Sequence, residues 1–547
     1  MTDKKQSKGK QITSRATLVK NVPVKPKPAK QPVLKNRTAK KDTQPTLAEA
    51  IETLISSTYD LAYDESRSLS VLVNREGNPV AEPVLLTATN DRICFELDQM
   101  GFEVSEDAVR TELKKYHFKA KMRGNKIKLF VRVASDSHYR RVVIDIGDAD
   151  NTFVLLEAGK VKIMRQGAQT VMLRSASTQA LPIPASESDP EMEGLNALLD
   201  VINLPEAQKY LLLSWMAYVL THPLDPSVSQ VFLVLLGQQG SGKSAFCKWI
   251  LRRFIDPNQL GVQAMPTRMT DMAIAARQAY LLIFDNIRTI SPRLSDWLCK
   301  VSTGGTFTVR KLYTNDDAHT INIQAPVVFN SILNPVTEPD MISRCLFLNL
   351  QPLASEARMT EQELNIYLEA HEGRIFRALL ELASQALNIL DQVTPQRPQR
   401  MMDFSRWLVA CEQVIGLEKG YLEDAYALNQ AQSYESSLAE QPLANALLNV
   451  AILCGVDGWI GTATELLPEL EALVSDRDIR AHFHQWPHNP TSLGRKIMQH
   501  VELLDSLGIV IERPTRGRER LIRIACKPDC LWLDNAGDAE ELEQREG

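Results

Sequence analysis

The feature that most limits how this chain can fold is a short run, Gly237-Gln238-Gln239-Gly240-Ser241-Gly242-Lys243-Ser244. It follows directly on six apolar residues, Val231-Phe232-Leu233-Val234-Leu235-Leu236, and leads into a helical pattern over about residues 245–254. The spacing is GxxxxGK[ST], in the strand–loop–helix setting that such a loop requires. Glycines let the backbone curl so that N–H groups point at phosphate oxygens, and the helix N-terminus adds partial positive charge. Lys243 is placed to reach the β- and γ-phosphates, and the Ser244 hydroxyl to ligate Mg²⁺. Residues 237–244 are therefore the candidate binding set for ATP and Mg²⁺. The fold implied around them is α/β, because residues 228–350 alternate apolar strands with helices.

Four further positions fit the same chemistry. Tyr280-Leu281-Leu282-Ile283-Phe284-Asp285 is a buried strand that delivers a carboxylate at its end, suited to hold Mg²⁺ with Ser244. Asn286 stands next, where a water-activating Glu would be useful. An amide cannot take a proton, though it can position water. Gln324-Ala325-Pro326-Val327-Val328-Phe329 ends at Asn330, a polar side chain able to sense the γ-phosphate. Arg344 has two readings: a finger acting on the site of a neighbouring subunit, or a partner of Asp340 four residues earlier. Arg374 and Arg377 are read as a lid sensor or as a solvated face. The candidate catalytic set is Lys243, Asp285, Asn286, Asn330 and Arg344.

The order of these elements, with Leu298–Gly305 and Val309–Thr314 between them, resembles the superfamily 3 helicases of the AAA+ class, in particular the ATPases of phage- and prophage-associated primase–helicase proteins. The resemblance spans roughly residues 120–525. It implies an AAA+ P-loop ATPase core that works as a homo-hexameric ring on single-stranded DNA or a DNA fork. It also implies a β-hairpin reaching into the ring channel. The arms would be Phe307–Leu312 and His319–Ile323, the turn Asn315-Asp316-Asp317, and the contacts Arg310, Lys311 and His319, tracking phosphates without reading sequence. Arg310 and Lys311 also read as ordinary edge-strand charges. No primase site is evident, so a primase would be a separate chain.

Around this core the chain divides into a disordered basic arm (1–45), an N-terminal α/β domain (46–189), a helical collar (190–227), the ATPase core (228–350), a helical lid and connector (351–428), a polar linker (429–441), a winged-helix-like domain (442–526) and an acidic tail (527–547). In the N-terminal domain, helices are expected over Asp91–Met100 and Glu106–Tyr116, and strands over Ile127–Val133, Arg141–Ile146 and Thr152–Glu157. Asp145, Asp148 and Asp150 suggest a metal set or, more simply, turn chemistry. In the C-terminal module, three helices precede a basic hairpin. Arg495, Lys496 and Gln499 would face a DNA groove, and Arg513, Arg516, Arg518 and Arg520 would touch phosphates; such modules also dock proteins.

Charge is uneven. Residues 1–41 carry 13 Lys or Arg and one acid, a net +12, so the rest carries −17 within an overall −5. A basic arm on an acidic body fits a polyanion partner or a solvated leader. The eight cysteines are scattered, as in reduced cytosolic proteins, and Cys526 with Cys530 lacks further zinc ligands. No apolar run is long enough to span a membrane, so a cytoplasmic protein without a membrane partner is expected. Two functions stand: an ATP-dependent DNA helicase or translocase replicating a phage or mobile genetic element, or a DNA-binding regulatory or defence-associated ATPase without processive unwinding.

Overall fold

The computed structural model describes residues 45–136, 140–189, 192–310, 318–352, 359–438, 441–481, 486–516 and 519–528. Nearly all of the basic arm, most of the acidic tail, Lys311, the turn Asn315–Asp317, Arg518 and Cys530 lie outside them.

The N-terminal region opens with α1 (Leu47–Thr58), β1 (Tyr59–Asp64), β2 (Leu69–Asn74), β3 (Val80–Pro83), α2 (Thr87–Gln99), α3 (Glu106–Arg123) and β4 (Asn125–Lys126). It continues with β5 (Val133–Ser135), β6 (Arg141–Asp145), β7 (Phe153–Glu157), β8 (Lys160–Met164) and β9 (Met172–Leu173). These strands make two sheets, ordered β4-β1-β2-β3-β9 and β5-β6-β7-β8. The strand expected over Ile127–Val133 does not form. Arg132 adopts a left-handed φ of 61° and breaks it. The Leu129 N–H is taken by the Asp64 carboxylate at 3.0 Å, so the segment crosses between the sheets with its polar groups satisfied.

Two helices follow, α4 (Glu193–Leu199) and α5 (Glu206–Thr221). Then β10 (Phe232–Leu236) runs into α6 (Lys243–Phe246), a π turn (Cys247–Leu251) and α7 (Arg252–Phe254), which are successive parts of one helix. Next come β11 (Gln263–Ala264), α8 (Met269–Gln278), β12 (Leu282–Asp285), α9 (Pro292–Thr303), β13 (Gly305–Arg310), β14 (Ala318–Ile323), β15 (Val327–Asn330), α10 (Pro339–Ile342) and β16 (Cys345–Asn349). The central sheet has the order β11-β12-β15-β10-β16, and every pairing in it is parallel. Its strands alternate strictly. Leu233 and Leu235 join the core that holds α5, while Phe232 and Val234 join the core on the opposite face. Each buried side chain of this size contributes about 1.5–3 kcal/mol.

The first face is covered by α4, α5 and α11 (Glu361–Ile389), with the inward residues of β6 and β7. A capping box between Thr360 and Glu363 starts α11. A 3₁₀ turn, α12 (Met402–Ile415) and α13 (Tyr421–Leu438) complete this part. The polar stretch expected to be a linker is the second half of α13. Asn429 lies buried against the free edge of β16, accepting from the Phe347 N–H at 2.9 Å and donating to its carbonyl at 2.6 Å. Gln430 donates to the Cys345 carbonyl. These amides close a sheet edge, which is why the segment is polar yet buried.

The second face carries the C-terminal domain: α14 (Pro442–Cys454), β17 (Trp459–Thr462), α15 (Ala463–Ala472), α16 (Asp476–Ala481), α17 (Pro490–Ser506), β18 (Ile509–Glu512), β19 (Thr515–Arg516) and β20 (Glu519–Cys526). Gly455 ends α14, and Thr462 with Glu465, a Thr-x-x-Glu spacing visible in the sequence, forms the capping box that opens α15. The strand order is β17-β20-β18, antiparallel throughout, with β19 also on β20.

From Leu47 onward the chain is one compact unit, and the boundary expected at residue 189 is bridged by buried ions. Arg132 gives its guanidinium to Asp256 at 2.9 Å, and both side chains are 2–3% exposed. Its remaining N–H groups go to the carbonyls of Asp145, Ile146, Gln179 and Pro257. The other Asp256 oxygen accepts the N–H groups of Tyr280 and Leu281 and lies 3.5 Å from Arg252. One carboxylate thus ties the N-terminal region to the end of the helix after the glycine loop and to the start of β12.

Candidate nucleotide site

Leu235 of β10 pairs with Asn330 of β15, and Phe284 of β12 pairs with Phe329. The registers place Leu236, Asp285 and Asn330 side by side at the carboxyl ends of adjacent parallel strands, where open α/β sheets leave a crevice. The loop from Gly237 begins there. Gly237 has φ 153°, and a Cβ on it would meet the Leu350 carbonyl and the Ser241 hydroxyl at 2.7 Å. Gly242, at φ 84°, turns the chain into α6. Gln238, Gln239 and Gly240 are exposed, and Ser241 is buried beneath them.

Lys243 closes the loop on itself, donating to the carbonyls of Gly237 at 2.7 Å and Gln238 at 3.0 Å. Burial lowers the Lys243 pKa, with Asp285 opposing. The Ser244 hydroxyl donates to Asp285 at 3.1 Å, and the Asn330 amide donates to Ser244 at 3.5 Å. The Asn330 side-chain carbonyl is buried and has no partner among the described residues. Asn286 is exposed at a left-handed φ of 59°, its N–H on Asp285 at 2.7 Å. Four of the five candidate catalytic residues therefore gather at one crevice, with a hydroxyl and a carboxylate spaced to share a hard divalent cation.

Arg344 stands elsewhere. It precedes β16, and its carbonyl accepts from Phe232 at the amino end of β10, across the sheet from the glycine loop. Its guanidinium lies 3.4 Å from Asp340, as the second sequence reading holds, and its Nε is buried without a partner among the described residues. Arg400 also pairs with Asp340, at 2.5 Å. Burial acts to raise the Asp340 carboxyl, but Cys299, Arg344 and Arg400 hold it below its usual value. The lid-sensor candidates are engaged as well, Arg374 by Glu193 and Arg377 by Glu381.

Candidate DNA contacts are divided. β13 and β14 form the expected antiparallel arms, Arg310 opposite Ala318 and Val309 opposite His319. The side chains of Arg310, His319 and Arg516 are outside the described residues, as are Lys311 and Arg518 altogether. On α17, Arg495 is exposed, while Lys496 donates to the Trp486 carbonyl at 3.0 Å. Asp145 is held by Arg174 at 2.6 Å, and no cluster of metal-ligating side chains occurs among the described residues. Nor is any described helix long and apolar enough to cross a membrane. The Arg132–Asp256 bridge escaped sequence reading because its partners lie 124 residues apart; the only local signal is the i,i+4 spacing of Arg252 and Asp256.

No curated protein matches the chain in sequence. Among solved structures, the SCCmec type IV Cch active helicase is 10% identical, over 87% of this chain and 94% of that one, at a TM-score of 0.42. The NrS-1 C-terminal region is 12% identical over 87% and 97%, at 0.35. The JCV helicase is 10% identical over 45% and 65%, at 0.24. These likenesses are too loose to carry an argument. The family models are more telling. Residues 195–438 match the actinomycete integrative conjugative element replication protein, and residues 443–537 match the C-terminal domain of the same kind of protein. The α/β core and the domain that follows it are thus similar, in order, to the two parts of a replication protein of integrative conjugative elements.

Proposed function

We propose that this chain is an ATP-dependent DNA helicase or translocase serving replication of a mobile genetic element, and that it acts as a homo-hexameric ring. The observation that carries this reading is the convergence of Lys243, Ser244, Asp285 and Asn330 behind a glycine loop, at the ends of β10, β12 and β15. The match to replication proteins of integrative conjugative elements supports the biological setting. The strand order, with β15 between the loop strand and the Asp285 strand, supports an AAA+ core.

In this reading Lys243 leaves its two loop carbonyls for the β- and γ-phosphates of ATP. Ser244 and Asp285 would hold Mg²⁺, which would supply positive charge to offset that of the phosphates. Asn330 turns its unpartnered carbonyl toward the attacking water, and Asn286 helps to position that water. Arg344 lies too far across the sheet to serve its own loop, so it acts on the nucleotide of a neighbouring copy. Its carboxylate partner is not stranded when it moves, because Arg400 remains on Asp340. The C-terminal domain, with helix, strand, two helices and a further helix before the final hairpin, is read as a winged helix presenting Arg495 to a DNA groove. A primase would act as a separate partner.

Asn286 favours one second reading, a regulatory DNA-binding ATPase with slow turnover and no processive unwinding, because the residue after Asp285 has no proton-accepting group. Steady-state ATP turnover with and without single-stranded DNA, at two salt concentrations, separates the two. The motor reading expects strong stimulation that weakens as salt rises. Absent stimulation, with nucleotide bound, would replace it with the regulatory reading.

A further inference from the structure

The family matches begin at residue 195, leaving α3 unassigned, and α3 joins exposed apolar side chains to a dense run of cations. From Lys114 to Lys128 the chain has seven Lys or Arg and no carboxylate. The helix buries Val109, Leu113, Tyr116 and Ala120. At about 100° per residue, Phe118 and Met122 fall nearly opposite that buried face, in an arc shared with Arg110, Lys114 and Lys121. Phe118 is 64% exposed and Met122 78%. Lys115 and Lys119 are neutralised by Glu112 and Glu52. Arg110, Lys114 and Lys121 make no ion pair among the described residues. The helical rise sets Arg110 and Lys121 roughly 16 Å apart.

Two large apolar side chains stand mostly exposed on the far side of the helix from its core, with the Phe118 ring meeting only the edge of His117 at 5.3 Å among the ring contacts of the described residues. Set among cations that lack counter-charges, they describe a ring to stack on, with charges along its flank to follow a phosphate backbone. We infer that the outer face of α3, centred on Phe118 and bordered by Arg110, Lys114 and Lys121, is a binding surface for single-stranded nucleic acid. The positive charge selects a polyanion. The exposed ring selects unpaired bases, since bases inside a duplex have no free face. This surface goes beyond the proposed motor: it would hold the strand outside the ring channel.

The test uses the full chain and a fluorescently labelled oligo-dT strand, with a duplex of equal length as comparison, read by anisotropy across a salt series. Phe118→Ala should weaken strand binding about tenfold while Phe118→Trp retains it, as expected for stacking. Lys114→Glu combined with Lys121→Glu should lower the slope of log K against log salt by about one to two. The basic arm contributes equally to every variant, and an unmoved melting temperature shows that each has folded. Wild-type binding with unchanged affinity and slope in both variants would overturn this inference alone. No strand binding by the wild type would overturn the motor reading with it. Equal weakening of duplex binding by Phe118→Ala, or loss of binding to phosphatidylserine vesicles in these variants with strand binding retained, would assign the face to another partner and also refute the proposal.

Discussion

At the carboxyl ends of β10, β12 and β15, Lys243, Ser244, Asp285 and Asn330 touch one another or the loop at 2.7–3.5 Å, and Asn330 keeps an oxygen without a partner among the described residues. At the opposite end of the same sheet, Arg344 and Arg400 both hold Asp340 in a closed ion cluster. The first arrangement is cheap to rearrange, because a phosphate can replace the carbonyls that Lys243 now holds. The second has to break a pair before Arg344 can do anything else. On the proposed reading, a site that receives its ligand from solvent and a group that serves another subunit should differ in this way.

The largest effects should come from emptying either end. Arg344→Ala should lower ATP turnover by about a thousandfold while a fluorescent nucleotide still titrates to the same extent. Lys243→Ala should cut turnover by about a hundredfold or more. Turnover persisting in the Lys243 variant would sink the site assignment.

One layer down, the comparison concerns scaffolding. Asp256→Ala leaves Arg132 and the N–H groups ahead of β12 without their acceptor. It should cost about 3–5 kcal/mol in a denaturant titration. A cost near that of an exposed pair such as Arg374 with Glu193, under about 1 kcal/mol, would show that the bridge holds nothing together.

His222 gives a further test. Its ring stacks on Tyr218 at 3.8 Å, and burial pushes its pKa from 6.5 to about 4. Between those values the unfolded chain binds the proton and the folded one does not. Stability is therefore full above about pH 6.5 and is lost as pH falls toward 4, by about 3 kcal/mol. His222→Gln should flatten that slope; a slope unchanged in the variant would assign it to other groups.

Much of the crevice was legible in the sequence, because each of its parts is local: an apolar strand, a glycine loop, and polar residues at strand ends. The capping box at Thr462 and Glu465 was legible for the same reason. Of the linker expected at Asn429–Gln441, residues 429–438 belong to α13, because polarity alone cannot tell a solvated amide from one that completes the edge of β16. The strand expected at Ile127–Val133 failed at Arg132, whose partner Asp256 is distant in sequence. The cations of α3 stand in the sequence, but only the buried set Val109, Leu113, Tyr116 and Ala120 shows that Phe118 faces away from the core.

In the proposed ring, the two ends of the sheet make one working site only across two copies. Mixing Arg344→Ala chains with Lys243→Ala chains under conditions of subunit exchange tests it most directly. Random mixing in a ring pairs an intact loop with an intact arginine at roughly a quarter of the interfaces. The account therefore predicts that turnover returns to a comparable fraction of the wild-type rate. A mixture as inactive as either variant alone would contradict it.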